Sequence, residues 1–79
     1  MGSPVLKNWK PREIISFLQK NDFEEIKKKK RGKGDHVCLF NRTTKKYTEI
    51  DMGRKSYSAR EMLTIAKQTD VPREEWLKK

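Results

Sequence analysis

The apolar residues of this chain change their spacing along its length, and that change limits the folds open to it more than any single motif. Ile14, Ile15 and Leu18 recur at helical spacing, with Phe17 widening the stripe and Arg12, Glu13, Ser16, Gln19 and Lys20 largely opposite it. Pro11 suits the first turn of that helix, where its missing N–H would be unpaired anyway. Asn21-Asp22 ends the helix, and Phe23 opens an extended stretch through Ile26 into a lysine run. Gly32 and Gly34 flank Lys33 and predict a turn. His36 to Phe40 reads as an apolar strand, Asn41 to Lys46 as a polar hairpin turn, and Tyr47 to Met52 as a second, half-buried strand. In that last strand Tyr, Glu and Asp alternate with Thr, Ile and Met. Helical spacing then returns. Ser58-Ala59-Arg60-Glu61 fits a capping box ahead of Met62, Leu63, Ile65 and Ala66. Val71-Pro72 breaks this helix, and Arg73 to Leu77 predicts one last turn carrying Trp76 and Leu77 back onto the core.

This order predicts an α+β fold, α-β-β-β-α. Strands joined by short turns pair antiparallel, and both helices must cover one face of the three-stranded sheet to form a single core. The other face is left to water or a ligand. His36, Cys38 and Phe40 share one face of their strand and Val37 and Leu39 the other, and the sequence leaves open which set is the core. With 79 residues the chain is expected to be one domain, 1–79, with residues 1–9 a poorly ordered lead-in. A chain this short buries only roughly 60% of its unfolded surface, so every element must share the same small core. No apolar run approaches a membrane span or a secretory segment, and the lone Cys38 permits no intramolecular disulfide. The expectation is a cytoplasmic protein with no membrane association.

The formal net charge of +9 is concentrated. Residues 1–26 and 61–79 each carry four basic and four acidic groups, whereas residues 27–60 carry twelve basic and three acidic ones. A field of one sign in one third of a chain is the electrostatic footprint of a phosphate-backbone ligand. Its densest part is Lys27, Lys28, Lys29, Lys30, Arg31 and Lys33. Arg42, Lys45, Lys46, Arg54, Lys55 and Arg60 lie in the turns and connections that follow. The plain alternative for such a run is a solvated loop that resists aggregation.

His36 is the only histidine. It follows the Gly32-Lys33-Gly34 turn, where glycine lets a phosphate approach the backbone closely, and imidazole is the side chain best suited to removing a proton near neutral pH. One Cys and one His cannot build a zinc site, and no carboxylate cluster suggests another metal. The Gly-x-x-x-x-Gly-Lys-Ser/Thr spacing of a phosphate loop is absent, and no serine or cysteine has a second histidine as its base. What remains for one histidine in a basic groove is RNA cleavage. There the substrate supplies its own nucleophile, the 2′-hydroxyl, and the protein needs a base, positive charge and a held geometry.

The early helix with Ile14-Ile15 and Leu18, Phe23 at the first strand, Gly34-Asp35-His36 ahead of an apolar strand, and Arg60-Glu61-Met62-Leu63 to Gln68 followed by Val71 and a terminal aromatic form an ordered set. From about Lys10 to Leu77 this set resembles the HicA (YcfA-like) family of bacterial and archaeal toxins. The resemblance implies a double-stranded-RNA-binding-like fold, a ribosome-independent mRNA-cleaving toxin, a HicB-type antitoxin as partner, and a catalytic role for His36. The chain departs from that family in three places. Asp35 stands where many relatives have serine. The stretch from Phe23 to Gly34 is a few residues longer. Glu49-Ile50-Asp51-Met52-Gly53 replaces a common proline-containing segment.

The first expectation is therefore a metal-independent and cofactor-free endoribonuclease acting on mRNA, with His36 as general base. Gly34 and Asp35 position the site, and Lys27, Lys28, Lys29, Lys30, Arg31, Lys33, Arg42, Lys45, Lys46, Arg54 and Lys55 bind RNA. The alternative is a catalytically silent RNA-binding module of the same fold. A DNA-binding accessory protein is a third and weaker reading.

Overall fold

The helical stripe around Ile14 forms α1, Pro11–Lys20. Pro11 occupies its first turn, and the Glu13 carboxylate accepts the Lys10 N–H at 2.8 Å. Asn21 closes the helix, its side-chain amide donating to the Phe17 carbonyl. Asp22 follows at φ 71°, a left-handed position that Asp tolerates better than most residues, and the chain turns at once into the first strand. The computed structural model describes residues 8–31 and 34–78.

Strands β1 (Glu24–Arg31), β2 (Gly34–Phe40) and β3 (Tyr47–Asp51) form one antiparallel sheet in the order β1-β2-β3. Gly34, expected in a turn, is already the first residue of β2. The register of β1 on β2 slips between Glu25 and Lys27, so Ile26 is the extra residue of a bulge. A lysine-rich strand runs against intrinsic strand preference. Its place at the sheet edge resolves the conflict, because only one side needs pairing and edge lysines discourage the docking of a further strand. Between β2 and β3 the buried Asn41 side-chain carbonyl accepts the N–H groups of Thr43 and Thr44 at 2.9 and 3.1 Å, an Asx turn that sets the hairpin.

The alternation of the strands decides the faces. Val37, Leu39 and Ile50 join Ile14, Phe17, Leu18, Phe23, Met62, Ile65, Val71 and Trp76 in one core cluster under the helices. Thr48 is on the same face, its hydroxyl donating to Gln68 Oε1 at 2.7 Å. His36, Cys38 and Phe40 therefore lie on the other face with Tyr47, Glu49 and Asp51.

The second helix, α2 (Ala59–Thr69), starts at the expected capping box. Ser58 Oγ accepts the Glu61 N–H at 3.3 Å, and Glu61 Oε1 accepts the Ser58 N–H at 3.0 Å. The backbone hydrogen bond from Ser58, more than any other contact, holds the Glu61 carboxyl below its ordinary value. A depressed folded value means stability that is present above the unfolded carboxyl's titration and lost as pH falls through the folded one. Ser58→Ala is thus expected to cost about 1 kcal/mol near pH 7. The Ser58 N–H that holds Glu61 survives that change, so the acid-dependent part is read from Glu61→Gln, whose gap to wild type in urea melts should narrow as the medium is made acid enough to protonate Glu61.

The chain leaves α2 through Asp70 in the left-handed conformation and forms α3, Arg73–Leu77. Trp76 is 1% exposed, stacks on Phe17 at 4.1 Å between ring centroids, and donates its indole N–H to the Val71 carbonyl at 3.1 Å. Two expected core residues are instead exposed. Leu77 is 37% exposed, because the short α3 turns only Trp76 inward, and Leu63 is 48% exposed, because the buried stripe of α2 runs through Met62, Ile65 and Thr69. Residues 8 and 9 belong to the fold rather than to a lead-in. Asn8 N–H donates to the Tyr57 carbonyl, Tyr57 N–H donates to the Trp9 carbonyl, and the Trp9 ring lies edge-on to Phe17 and Trp76. The rest of that segment, residues 1–7, lies outside the described residues.

Candidate nucleic-acid interface

His36 sits two residues into β2. Its side chain is 20% exposed on the sheet face away from the helices, and its cross-strand partner in the register is Asp51. The Nε2 atom is 3.9 Å from Asp51 Oδ2, whereas Nδ1 is buried and has no hydrogen-bond partner among the described residues. Nε2 is thus the nitrogen that can meet a substrate.

Asp51 is held from two sides. Its N–H donates to the Tyr57 hydroxyl at 2.7 Å, and the Gly53 N–H donates to Oδ1 at 2.8 Å, which leaves Oδ2 toward the imidazole. Burial, the largest cause, raises the Tyr57 phenol above its ordinary value, so it stays protonated as a fixed neutral partner. Tyr57 is in turn fixed by the Arg54 guanidinium, 5.1 Å from its ring centroid, and Arg54 is paired with Glu61 at the start of α2. A chain of contacts therefore runs from the capping box of α2 through Arg54, Tyr57 and Asp51 to His36. On the other side, the Met52 N–H donates to the Asp35 carbonyl at 2.8 Å, continuing the pairing of β2 with β3 past the site. The Asp35 side chain itself is exposed.

The same face carries a second polar group. The Tyr47 hydroxyl shares its one proton between Cys38 Sγ at 3.2 Å and Glu49 Oε2 at 2.9 Å. These contacts, the Cys38 bond first, with burial next, push its phenol far above its ordinary value. Tyr47 is 41% exposed and remains a proton-bearing donor, while Cys38 beneath it is 1% exposed. A buried thiol in this position is a packing residue, not a nucleophile.

The cations expected to bind RNA fall into separate groups. Lys29 stands opposite His36 in the β1–β2 register, Lys27 opposite Cys38 and Arg31 opposite Gly34; Lys28 and Lys30 stand opposite Val37 and Asp35. Arg54 and Lys55 follow β3 at the His36 end of the sheet. Arg42, Lys45 and Lys46 are in the β2–β3 turn at the far end, roughly 17 Å away along the strand at about 3.3 Å per residue. Arg42 also pairs with Glu24 at 2.7 Å. The fold therefore does not gather Arg42, Lys45 and Lys46 into one groove with His36. Lys33 lies outside the described residues.

Asp51 and Tyr57 were not marked as site residues by sequence reasoning. The alternation of Tyr47 to Met52 does put Asp51 on the wet face, but its place opposite His36 depends on a register that only the folded hairpin fixes. Among the described residues no group of three His, Cys, Asp or Glu side chains is placed to hold a metal ion, and no helix is long and apolar enough to cross a membrane. No protein-family model, curated protein or solved structure matches the chain.

Proposed function

We propose that this chain is an RNA-binding protein of double-stranded-RNA-binding-like fold that cleaves mRNA as the toxin of a toxin–antitoxin pair. A HicB-type antitoxin would be its partner and the cytoplasm its place of action. His36 Nε2 takes the proton of a 2′-hydroxyl, whose oxygen bonds to the adjacent phosphorus as the bond from phosphorus to the next nucleotide's 5′-oxygen breaks. This leaves a 2′,3′-cyclic phosphate and a 5′-hydroxyl that takes its proton from water. The basic strand β1 and the connection after β3 hold the phosphates. No metal is needed to generate the nucleophile, since the substrate carries it.

The observation that supports this reading best is the placement of the only histidine. It is partly exposed on the sheet face the helices do not cover, with one ring nitrogen turned toward a held carboxylate and the lysine strand beside it. The order of the elements agrees with the fold that the HicA resemblance implies. The test is expression of wild type and His36→Ala in a bacterium. Wild type is expected to arrest growth with loss of mRNA and the variant to do neither; equal arrest by both, or by neither, contradicts the proposal.

One observation favours a catalytically silent RNA-binding module instead. His36 is four-fifths buried with Nδ1 sealed off, as a histidine kept for packing would be. That reading predicts salt-sensitive RNA binding unchanged in His36→Ala, with no cleavage products from either protein.

A further inference from the structure

A cleft of about 410 Å³ opens between the start of α1 and the β3–α2 connection, lined by Lys10, Arg12, Glu13, Met52, Arg54 and Lys55 among others. We propose that it is a second phosphate-binding subsite, which holds the backbone of single-stranded RNA as the strand rounds the end of the sheet from His36. This rests on the RNA reading above and joins Arg54 and Lys55, already expected to bind RNA, to Lys10 and Arg12 at the start of α1, which residue type and clustering alone did not mark.

Charge is the first argument. Four cationic side chains line the cleft against one carboxylate, and that carboxylate, Glu13, already accepts the Lys10 N–H. Arg54 is engaged by Glu61 and Tyr57. Lys10, Arg12 and Lys55 are exposed and form no ion pair among the described residues. Cations that outnumber the carboxylates around one concavity repel one another, and an anion seated among them relieves that repulsion. The planar guanidinium of Arg12 suits the two oxygens of a phosphodiester.

Continuity with His36 is the second argument. Met52 forms part of the cleft wall, directly follows Asp51, and donates its N–H to the Asp35 carbonyl. The cleft and His36 thus flank one end of the β2–β3 pair from its two faces. A chain molecule with regularly spaced charges can occupy both, whereas a free anion fills only one. The partly buried Met52 side chain offers an apolar surface to a sugar or base between phosphates.

The test compares wild type, Arg12→Gln/Lys55→Gln, and a control, Lys20→Gln/Lys67→Gln, whose exposed lysines lie elsewhere on the helices. Affinity for a short single-stranded RNA is measured against salt concentration. Each phosphate left without its cation lowers the slope by about 0.7, so the cleft variant is expected to lose about 1.4 more than the control. A parallel amide NMR titration with pyrophosphate is expected to give saturable shifts at residues 10–13 and 52–55 that the cleft variant loses. RNA binding by wild type with equal slopes in cleft variant and control overturns the subsite and leaves the RNA reading standing. No RNA binding by wild type, with pyrophosphate still saturating at the cleft, overturns the RNA reading and retains a phosphate site. Shifts that do not saturate, or that glutamate reproduces at equal ionic strength, overturn the cleft as a phosphate site.

Discussion

His36→Ala is expected to bind single-stranded RNA as tightly as wild type and to cleave it at least about a hundredfold more slowly, since a positioned general base contributes about 10²–10⁴ in rate. Binding should survive because the phosphate contacts proposed above come from other side chains. Folding should survive because the imidazole lies off the face that packs against the helices and outside the core cluster. Asp51 also keeps its contacts to Gly53 and Tyr57 when the imidazole is removed. Single-turnover cleavage with protein in excess separates the rate from affinity, and a thermal melt of the variant checks its fold. A rate within threefold of wild type would remove His36 from the chemistry.

The second large effect is on stability. Trp76→Ala is expected to cost about 3–5 kcal/mol, the usual range for emptying a buried tryptophan site. The indole is 1% exposed, stacks on Phe17, meets Trp9 edge-on at 5.2 Å and satisfies the Val71 carbonyl. Removing it separates α1, α3 and the segment entering α1, which the three rings now join. A domain of this size has only roughly 4–12 kcal/mol in total, so the variant should melt roughly 15–30 °C lower or fail to fold cooperatively. Leu77→Ala, one residue on, is expected to stay within about 0.5 kcal/mol of wild type, because its side chain is exposed. Similar destabilisation in both variants would mean that α3 is held by something other than the tryptophan.

The element order was legible because each element carries its own period. The helical stripe of α1, the alternation of β3 and the capping box of α2 each point to one local structure, and each element forms there. What the sequence left open was set by tertiary contacts. The strand centred on Val37-Cys38-Leu39 is apolar on both faces, so its inward side is decided by the partners it meets, and Val37 and Leu39 meet the helices. Leu63 and Leu77 are apolar by type yet exposed, because a helix five or eleven residues long turns only one side to so small a core. The candidate site shows the same division. His36 and the lysine strand stood out by residue type and clustering. Asp51 and Tyr57 did not, because neither is unusual until the β2–β3 register and the return of residues 53–57 place Asp51 beside Nε2 of the imidazole and Tyr57 against Asp51. The charge run also suggested more unity than the fold provides, since Arg42, Lys45 and Lys46 end up at the opposite end of the sheet from His36.

The most direct test of His36 as the base for a 2′-hydroxyl is the chemistry of the ends it leaves. A labelled RNA oligonucleotide incubated with the wild-type protein and a metal chelator is expected to yield fragments ending in a 2′,3′-cyclic phosphate, each followed by a fragment with a 5′-hydroxyl. The same oligonucleotide with a 2′-deoxy sugar at the cleaved position should be bound and left whole. Fragments carrying 5′-phosphates, or cutting at the 2′-deoxy position, would contradict a base acting on the 2′-hydroxyl.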